Sequence, residues 1–449
     1  MRFVPHTETE IQRMLEAIGV ARLEDLLAHV PEKLRTSATI SLDPGRSEAE
    51  VVAELSALAA KSTSANGFVS FLGGGCYRHY VPAAVRAITA RSEFATSYTP
   101  YQPEASQGTT QAIFEFQTLI TQLTGLEVAN ASMYDGASAA AEAALMARRV
   151  LPKRVVVAVS RALWPDYRST IRTYLSAQTP LELVELPFDP ASGTTDLAAL
   201  EALADDRLLC TVTGYPNGFG AIEPLGQIAE ITHRAGALAI SVTAEALALG
   251  LLKAPGDLGA DIAVGEGQSF GIPPQFGGPG VGFMAARNAQ VRQMPGRLVG
   301  QTVDAQGQRA FCLTLATREQ HIRRERATSN ICTNHSLNAL AATAYLSLMG
   351  RRGLQELAGR NVELAHRAAD LLAAAGIRQR FNAPFFNEFV VSVPNAEAAL
   401  AAAERHKVLP GIALLREYPE LGDGLLIAVT EMNGAHEFEL LRDVLAETR

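Results

Sequence analysis

Residues 208–242 read LLCTVTGYPNGFGAIEPLGQIAEITHRAGALAISV, and this stretch carries the pattern that decides the fold. A short apolar, β-branched run stands at each end, Leu208–Thr213 and Leu238–Val242, with a stretch of helical length between them. Strands that alternate with helices argue for a mostly parallel sheet. The segment therefore predicts a strand, a helix and a second strand of one parallel sheet.

The same alternation continues on both sides of this segment. We predict further strands at Arg154–Val159, Ile262–Val264 and Gly280–Met284, with helices between them. The expected fold class is α/β: a large, mostly parallel sheet domain over residues 66–326, with helices on both faces.

The two ends of the chain have sequence patterns that differ from this alternation. Residues 1–65 predict a helical arm, with apolar residues at helical spacing in Glu8–Ile18 and Leu23–Val30. Residues 327–449 predict a long linking helix over Ala327–Met349 and then a small α+β domain. Its expected elements are helices at Leu354–Ala374, Ala396–Val408 and Ala435–Thr448, and strands at Glu388–Val393 and Gly424–Thr430.

Composition excludes several classes of protein. The formal charge of -8 over 449 residues is mild, and no basic stripe interleaved with aromatics would follow a nucleic acid. The four cysteines show no CxxC or Cys/His spacing, which argues against structural zinc and a disulfide framework, and no metal site is predicted. They are Cys76, Cys210, Cys312 and Cys332.

Membrane insertion is not expected. The first residues, MRFVPHTETEIQRML, meet acidic side chains before any apolar run, which is unlike a signal peptide or an anchor. The most apolar window, Ala235–Leu252, contains Glu245 and fits a buried strand followed by a turn better than a membrane span. We expect a reducing, cytoplasmic location.

One candidate binding feature is the segment Asn130–Ser138, NASMYDGAS, which runs into an alanine-rich helix. Asp135 or Ser138 can cap that helix, and Gly136 lets backbone amides approach a ligand closely. Helix N-termini attract anions, so the turn could seat a phosphate. An ordinary capped helix start would look the same.

Two further segments carry unusual chemistry. Residues 98–108, YTPYQPEASQG, hold two tyrosines, a glutamate and a glutamine on a proline-stiffened backbone, which suits a site or simply a stiff connection. Residues 317–333, TREQHIRRERATSNICT, hold four arginines, which suit a carboxylate ligand or exposed ion pairs. By residue type, His321 is more often a packed or surface side chain, and Cys332 a small buried one. The glycine-rich stretch Pro255–Gly280 marks close backbone approaches but names no ligand.

Four long strings together resemble the P-protein of the glycine cleavage system, a glycine decarboxylase. They are FLGGGCYRHYVP (71–82), the stretch from YTPYQPEASQG to YDGASAAAEA (98–143), ADIAVGEGQSFGIPPQFGGPG (260–280) and TREQHIRRERATSNICT (317–333). The resemblance covers nearly the whole chain. It implies the fold-type-I architecture of pyridoxal-phosphate-dependent transferases, which agrees with the domains predicted above. It also implies decarboxylation of glycine and transfer of the aminomethyl group to the lipoyl arm of H-protein, with pyridoxal phosphate as electron sink.

The sequence departs from the catalytic pattern of that family at the cofactor anchor. Gln268 stands where the resemblance places the Schiff-base lysine, and an amide nitrogen is not a nucleophilic amine. Alignment puts Glu245 at the usual aspartate near the pyridine nitrogen and Trp164 at the usual histidine over the ring. We therefore expect no cofactor bound covalently in this chain and a degenerate pocket formed by Gly136, Ser138, Trp164, Glu245 and Gln268.

The resemblance also implies partners. The chain looks like the separate N-terminal, or α, subunit, which would join a pyridoxal-phosphate-bearing β subunit, as α2β2, and serve lipoylated H-protein and glycine. Six side chains are candidates for completing the partner's active site: Tyr98, Tyr101, Glu104, Gln107, Arg324 and Cys332. Two alternatives are a structural or regulatory subunit that only scaffolds the catalytic one, and an independent enzyme of another reaction type.

Overall fold

The computed structural model describes residues 6–38, 41–62, 67–178, 180–275 and 277–447. The chain divides into two compact units, one up to residue 64 and one from residue 65 onward. Residues 1–5 of the N-terminal stretch and Thr448 of the last predicted helix lie outside the described residues. The further division at residues 326 and 327 stays a prediction.

The N-terminal unit is helical. Its α-helices are α1 (Glu8–Ile18), α2 (Glu32–Ser37) and α3 (Glu48–Ala59). Thr7 caps α1, because its hydroxyl accepts from the Glu10 amide while the Glu10 carboxylate accepts from the Thr7 amide. The helix predicted at Glu8–Ile18 is confirmed.

The second predicted helix of this unit is shorter than expected. A 3-10 helix covers Leu23–Leu27, whereas the prediction was Leu23–Val30. Pro31 comes directly after Val30, and a proline disfavours helical backbone at the residue before it. The run is therefore too short for a full α-helix.

The second unit contains the sheets. Its strands are β1 (Val69–Ser70), β2 (Val128–Ala129), β3 (Val156–Ser160), β4 (Glu182–Leu186), β5 (Leu208–Gly214), β6 (Leu238–Thr243), β7 (Ile262–Glu266), β8 (Gly282–Ala286), β9 (Leu298–Val303), β10 (Arg309–Thr314), β11 (Glu388–Ser392), β12 (Val408–Leu409), β13 (Ile412–Ala413) and β14 (Gly424–Ala428). Its α-helices are α4 (Ala83–Thr89), α5 (Ser92–Ala95), α6 (Gln107–Thr124), α7 (Gly136–Val150), α8 (Pro165–Ser176), α9 (Leu197–Leu203), α10 (Leu225–Arg234), α11 (Gln320–Arg323), α12 (Ser336–Ala374), α13 (Ala396–Arg405) and α14 (Ala435–Ala446).

The large sheet has the strand order β2-β8-β7-β6-β5-β3-β4. The five strands from β7 to β4 are parallel, and β8 is antiparallel to both of its neighbours. Each predicted strand of this sheet is present, and no end differs from its prediction by more than two residues. The segment 208–242 forms the predicted strand, helix and parallel strand.

Alternate residues of each central strand enter different cores, as the period of two in a strand requires. Val157 and Val159 pack with α7 and α8 on one face, whereas Val156 and Ala158 pack with α9 and α10 on the other. α6 and the first part of α12 cover the second face near β8. Both faces are buried, which explains why these strands read as continuous apolar runs.

A smaller antiparallel sheet, in the order β11-β14-β13, lies toward the C-terminus, and β1 pairs in parallel with β12. The second part of α12, α13 and α14 cover this core. α12 is interrupted at Gly350, whose φ of 59° and ψ of 179° are not helical. A glycine tolerates that conformation, so the chain can turn there between the two cores.

In the second unit, too, two predicted helix bounds are wrong. The linking helix starts at Ser336 and not at Ala327, because Ser329 and Asn334 bind elsewhere: Ser329 donates to Glu142, and Asn334 to the Ala131 carbonyl. The helix predicted over Ala396–Val408 ends at Arg405, and Val408 pairs with Val69 in the β1–β12 ladder. In each case a contact distant in sequence overrides a local pattern.

Within the described ranges, no helix combines the length and apolar character that crossing a membrane requires.

Candidate functional site

The candidate site lies at the carboxyl edge of the large sheet, where ligands bind in α/β folds. The strands β6 and β7 are parallel neighbours and end side by side, so Glu245 and Gln268, which follow them, reach the same edge. The antiparallel strand β8 starts at this edge, and α7 begins beside it: Met133, three residues before α7, forms a bridge with Gly282.

The start of α7 is a capped helix terminus, as predicted. The Asp135 carboxylate accepts from the Ser138 amide at 2.7 Å, and the Ser138 hydroxyl donates to the Asp135 carbonyl at 3.1 Å. The hydroxyl of Ser138 is thus used within the turn. A Cβ on Gly136 would lie 2.2 Å from the Tyr167 hydroxyl, so only glycine fits there.

Glu266, the last residue of β7, fills the space in front of this helix. Its Oε2 accepts from the Gly136 amide at 3.0 Å, and its Oε1 accepts from the Val281 amide at 2.7 Å. Burial raises the pKa of the Glu266 carboxyl to about 7. The sequence interpretation missed this residue, although a glutamate at the end of the apolar strand IAVGE was a signal.

Gln268 is engaged on both sides of its amide. Its Oε1 accepts from the Tyr77 amide at 2.9 Å, and its Nε2 donates to the Tyr77 carbonyl at 3.0 Å and to the Ile272 carbonyl. The side chain is buried and ties the turn after β7 to the segment 73–79. It therefore acts as a structural crosslink at the position where the resemblance places a lysine.

Glu245 belongs to a buried ionic cluster. The His79 Nε2 lies 3.0 Å from Glu245 Oε2, and its Nδ1 lies 2.8 Å from Glu431 Oε2. Burial alone lowers the pKa of His79, but the Glu245 and Glu431 carboxylates outweigh it and raise that pKa to about 10. His79 is therefore an imidazolium shared by two carboxylates, one after β6 and one after β14.

A second buried carboxylate, Glu388 at the start of β11, holds the glycine-rich segment 73–77. It accepts from the Gly74 amide at 2.7 Å and from the Tyr77 hydroxyl at 2.7 Å. Burial raises the pKa of Glu388 to about 7. A Cβ on Gly73 would lie 2.2 Å from its Oε1, which explains the glycine.

Trp164 lies four residues after the end of β3, directly before α8, and is 2% exposed. Its ring centroid lies 5.6 Å from that of Tyr167, whose hydroxyl is packed against Gly136. Among the described residues its Nε1 has no hydrogen-bond partner. Of the predicted degenerate pocket, Trp164 and Gly136 are thus linked through Tyr167, whereas Ser138, Glu245 and Gln268 bind Asp135, His79 and Tyr77 respectively.

Pyridoxal phosphate does not fit this arrangement. The amide that opens α7 is already bonded to Glu266, and Gln268 has neither the amine nor the freedom to hold the cofactor. The carboxyl groups of Glu245, Glu266 and Glu388 are buried here as well, so a phosphate would meet acidic side chains at close range.

The two tyrosine- and arginine-rich segments meet at a separate place, through Arg297. This buried guanidinium donates to the Thr99 hydroxyl at 3.3 Å and lies 3.4 Å from the Glu319 carboxylate. It also lies 5.4 Å from the ring centroid of Tyr101. The sequence interpretation named both segments but missed Arg297, which stands on neither.

The six candidates for completing a partner's site differ in exposure and in hydrogen bonding. Tyr98 and Tyr101 are 71 % and 54 % exposed, and the Tyr98 hydroxyl lies 3.2 Å from that of Thr333. Glu104 and Arg324 are exposed, and Arg324 has a left-handed φ of 52°.

The other two candidates depart from what residue type suggests. Gln107 is bound to both backbone groups of Phe311 at 2.9 Å, so it clamps β10. Cys332 is an exposed free thiol, contrary to the common buried state, and its amide donates to the Tyr134 hydroxyl.

Tyr134 and His335 connect this surface to the pocket. The Tyr134 ring lies 5.6 Å from that of His335, and His335 Nδ1 lies 2.8 Å from the Gly280 carbonyl. Gly280 in turn packs on the Glu266 carboxylate. The exposed segment around Cys332 is therefore connected to Glu266 through Tyr134, His335 and Gly280.

Comparisons with known proteins agree on one family. The sequence profile of the glycine cleavage system P-protein matches residues 1–445. A probable glycine dehydrogenase (decarboxylating) subunit 1 from Anaeromyxobacter dehalogenans is 51% identical over 443 residues, 98% of each chain. The crystal structure of an inhibitor-bound glycine decarboxylase (P-protein) of the glycine cleavage system superposes with a TM-score of 0.91, at 46% identity over 100% of both chains.

A more distant neighbour shows the fold alone. A sphingosine-1-phosphate lyase from Burkholderia pseudomallei has a TM-score of 0.67 at 16% identity, over 93% of this chain and 94% of that one. The large mostly parallel sheet with its smaller C-terminal sheet is the fold-type-I architecture of pyridoxal-phosphate-dependent transferases. With the profile match and these identities over almost the full length, the chain belongs to the glycine cleavage system P-protein family.

Proposed function

We propose that this chain is the non-lysine α subunit of a two-subunit glycine decarboxylase. With a pyridoxal-phosphate-bearing β subunit, assembled as α2β2, it takes part in the release of the glycine carboxylate as carbon dioxide. The aminomethyl group passes to the lipoyl arm of H-protein. The relatives named subunit 1 support a partner subunit, and the free cysteines support a cytoplasmic location.

The observation that carries this proposal is Gln268. The amide stands where a catalytic copy needs an amine, and the three hydrogen bonds that it makes with described residues all go to backbone groups. A side chain fixed in this way cannot be recruited by a small shift of the turn. The chain keeps the family's fold and its long sequence strings, but in this proposal the partner subunit binds the cofactor.

When bound on the partner, pyridoxal phosphate supplies the electron sink that loss of a carboxylate requires. What this chain contributes is polar surface. Tyr98 and Tyr101 present phenols on a backbone fixed by the Arg297 bonds to Thr99 and Glu319. A buried, doubly bound guanidinium holds such a surface in place, which is what orientation of a reacting partner needs.

The six candidates act in two ways in this proposal. Tyr98, Tyr101, Glu104 and Arg324 are exposed and available to a partner's site, with the Cys332 thiol beside them. Gln107 acts indirectly, because its side-chain amide is hydrogen-bonded to the backbone of Phe311 in β10. Its role is to position the β9–β10 hairpin.

Reconstitution tests the proposal. The purified chain, mixed with a lysine-bearing subunit and lipoylated H-protein, should release labelled carbon dioxide from carboxyl-labelled glycine, and either subunit alone should not. Release by this chain alone would refute the proposal.

A variant and its control distinguish this proposal from the alternative in which the chain is only a scaffold. Tyr101→Ala should lower the rate of the assembled complex at unchanged subunit affinity. Arg352→Ala, on the exposed face of α12, is the control and should leave both unchanged. A full rate for Tyr101→Ala and for Tyr98→Ala, with affinity intact, would favour a pure scaffold.

A further inference from the structure

The N-terminus of α7 is an anion-binding position that the chain fills with its own side chain. A helix of this length, Gly136–Val150, offers unpaired amides and a positive dipole end at its start. The first of these amides, on Gly136, donates to Glu266 Oε2, and the other carboxylate oxygen accepts from the Val281 amide. Both oxygens of Glu266 therefore bind backbone donors, as two oxygens of a bound anion would.

Glycines enclose this carboxylate on two sides. A Cβ on Gly280 would lie 2.6 Å from Oε1 and 2.7 Å from Oε2, and a Cβ on Gly136 would lie 3.0 Å from the Glu266 Cβ. The backbone thus approaches the carboxylate as closely as it would approach a ligand. Space for a tetrahedral anion of four oxygens exists only if Glu266 leaves.

The other residues of the predicted pocket offer no second position for a phosphate. The Nε1 of the buried Trp164 has no hydrogen-bond partner in the part of the chain that the structure describes, and Gln268 is bound to Tyr77 on both sides of its amide. The loss of the lysine is therefore only one of two changes that exclude a phosphorylated cofactor. Gln268 removes the covalent anchor, and Glu266 occupies the position for the anion.

We propose that Glu266 is a built-in anion that replaces a ligand phosphate at the start of α7, and that it closes this chain to phosphorylated cofactors independently of Gln268. The inference refines the part of the proposed function that leaves this chain without the cofactor. It predicts a latent anion site that opens when the carboxylate is removed.

The electrostatics of Glu266 are consistent with a side chain that can be substituted without unfolding the chain. Burial and nearby Asp135 together raise the pKa of Glu266 to about 7, against the opposing effect of the Val281 and Gly136 amides, so ionisation of Glu266 does not stabilise the folded chain. Removing it leaves the helix amides and the glycine-lined space behind. The chain is therefore expected to tolerate a small neutral residue at this position.

The test uses the full-length chain and inorganic phosphate as the probe. With Glu266→Ser, 20 mM phosphate should raise the thermal midpoint by about 2 °C relative to sodium chloride of equal ionic strength, as expected for a millimolar site. The unmodified chain should show no such difference. A phosphate-dependent rise in the unmodified chain would overturn the inference, and so would its absence in folded Glu266→Ser.

Glu223→Ser is the matched control. Glu223 is also buried, also has a pKa raised to about 7 by burial, and also accepts from a backbone amide, that of Thr195. That amide precedes the Asp196 cap of α9 and is not a helix-terminal donor. Phosphate should not shift the midpoint of this variant, and an equal shift would show that any vacated buried carboxylate binds the probe.

A second variant keeps the inference open to refutation if Glu266→Ser does not fold. Gln268→Lys restores an amine but leaves Glu266 in place, so pyridoxal phosphate followed by borohydride should label position 268 no more than background. Stoichiometric labelling there, mapped by mass spectrometry, would show that the missing lysine is the sole block. These tests use the chain without a partner, so their failure would leave the proposed decarboxylase role intact.

Discussion

Replacing His79 by glutamine should destabilise the chain by about 3–5 kcal/mol at pH 7, because breaking a buried ion pair leaves charge without compensation. The imidazolium lies 3.0 Å from Glu245 and 2.8 Å from Glu431, and its side chain is 2% exposed. Glutamine can replace the hydrogen bonds but not the charge. At about 2.1 cal/mol/K per residue over 449 residues, the thermal midpoint should fall by about 3–5 °C.

The pH dependence has a defined sign. The folded pKa of His79, about 10, lies above its ordinary value of 6.5, so its contribution is fully present below 6.5 and is lost as the pH rises through 10. A shift of that size corresponds to about 5 kcal/mol at most. Burial raises the pKa of the adjacent Tyr77 and Tyr345 phenols, so they do not oppose the trend in this window.

Scanning calorimetry of the full chain between pH 6.5 and 10 measures both effects. The matched control is His233→Gln: His233 lies 2.8 Å from Asp261, but its side chain is 41% exposed, so the loss should stay below about 1 kcal/mol. Adding Glu431→Gln to the His79 variant should recover part of the loss, since it removes one uncompensated carboxylate. Equal losses for both histidine variants, or a His79 loss that persists unchanged at pH 10, would refute the reasoning.

Three further predictions test other contacts. Burial raises the folded pKa of Glu388 to about 7, above its ordinary 4.5, so the native chain should lose stability relative to Glu388→Gln as the pH rises from 4.5 to 7. Parallel melting curves across that range would contradict this. Gly136→Ala should lower the free energy of unfolding by about 1–3 kcal/mol through overpacking, whereas Gly359→Ala, with open space around it, should be neutral or stabilising by up to about 1 kcal/mol; urea titrations of the two variants compare them. The exposed Cys332 thiol should react rapidly with maleimide in the isolated chain and slowly in the assembled complex, while buried Cys210 stays unreactive in both; equal Cys332 rates would argue that this surface is not covered by a partner.

The strands were predictable because each one is decided locally. A strand buried on both faces must be apolar throughout, and runs such as Val155–Val159 meet that condition with five apolar residues in a row. The capped start of α7 was predictable for the same reason, since Asp135 and Ser138 are three residues apart. The linking helix failed at Ser329, whose partner, Glu142, is 187 residues away.

In the site, too, features set by residue identity were predictable and contacts between distant segments were not. Gln268 was identified from sequence, because it breaks a long matching string at one residue. Its bonds to Tyr77 were not, nor was the role of Arg297, whose partners Thr99 and Glu319 stand on two different segments. Nothing in a local window distinguishes these side chains from others of their type.

By itself, the sequence determined the fold class, the family and the absence of an anchoring lysine, because each of these depends on residue identity or local pattern. Only the tertiary structure decided that the anion position of α7 is already filled. The Glu266 carboxylate and the Gly136 amide are 130 residues apart in the chain. They meet because the sheet order β2-β8-β7 leaves only β8 between β7 and β2, the strand that precedes α7, and hydrogen bonding acts over about 3 Å regardless of separation in sequence.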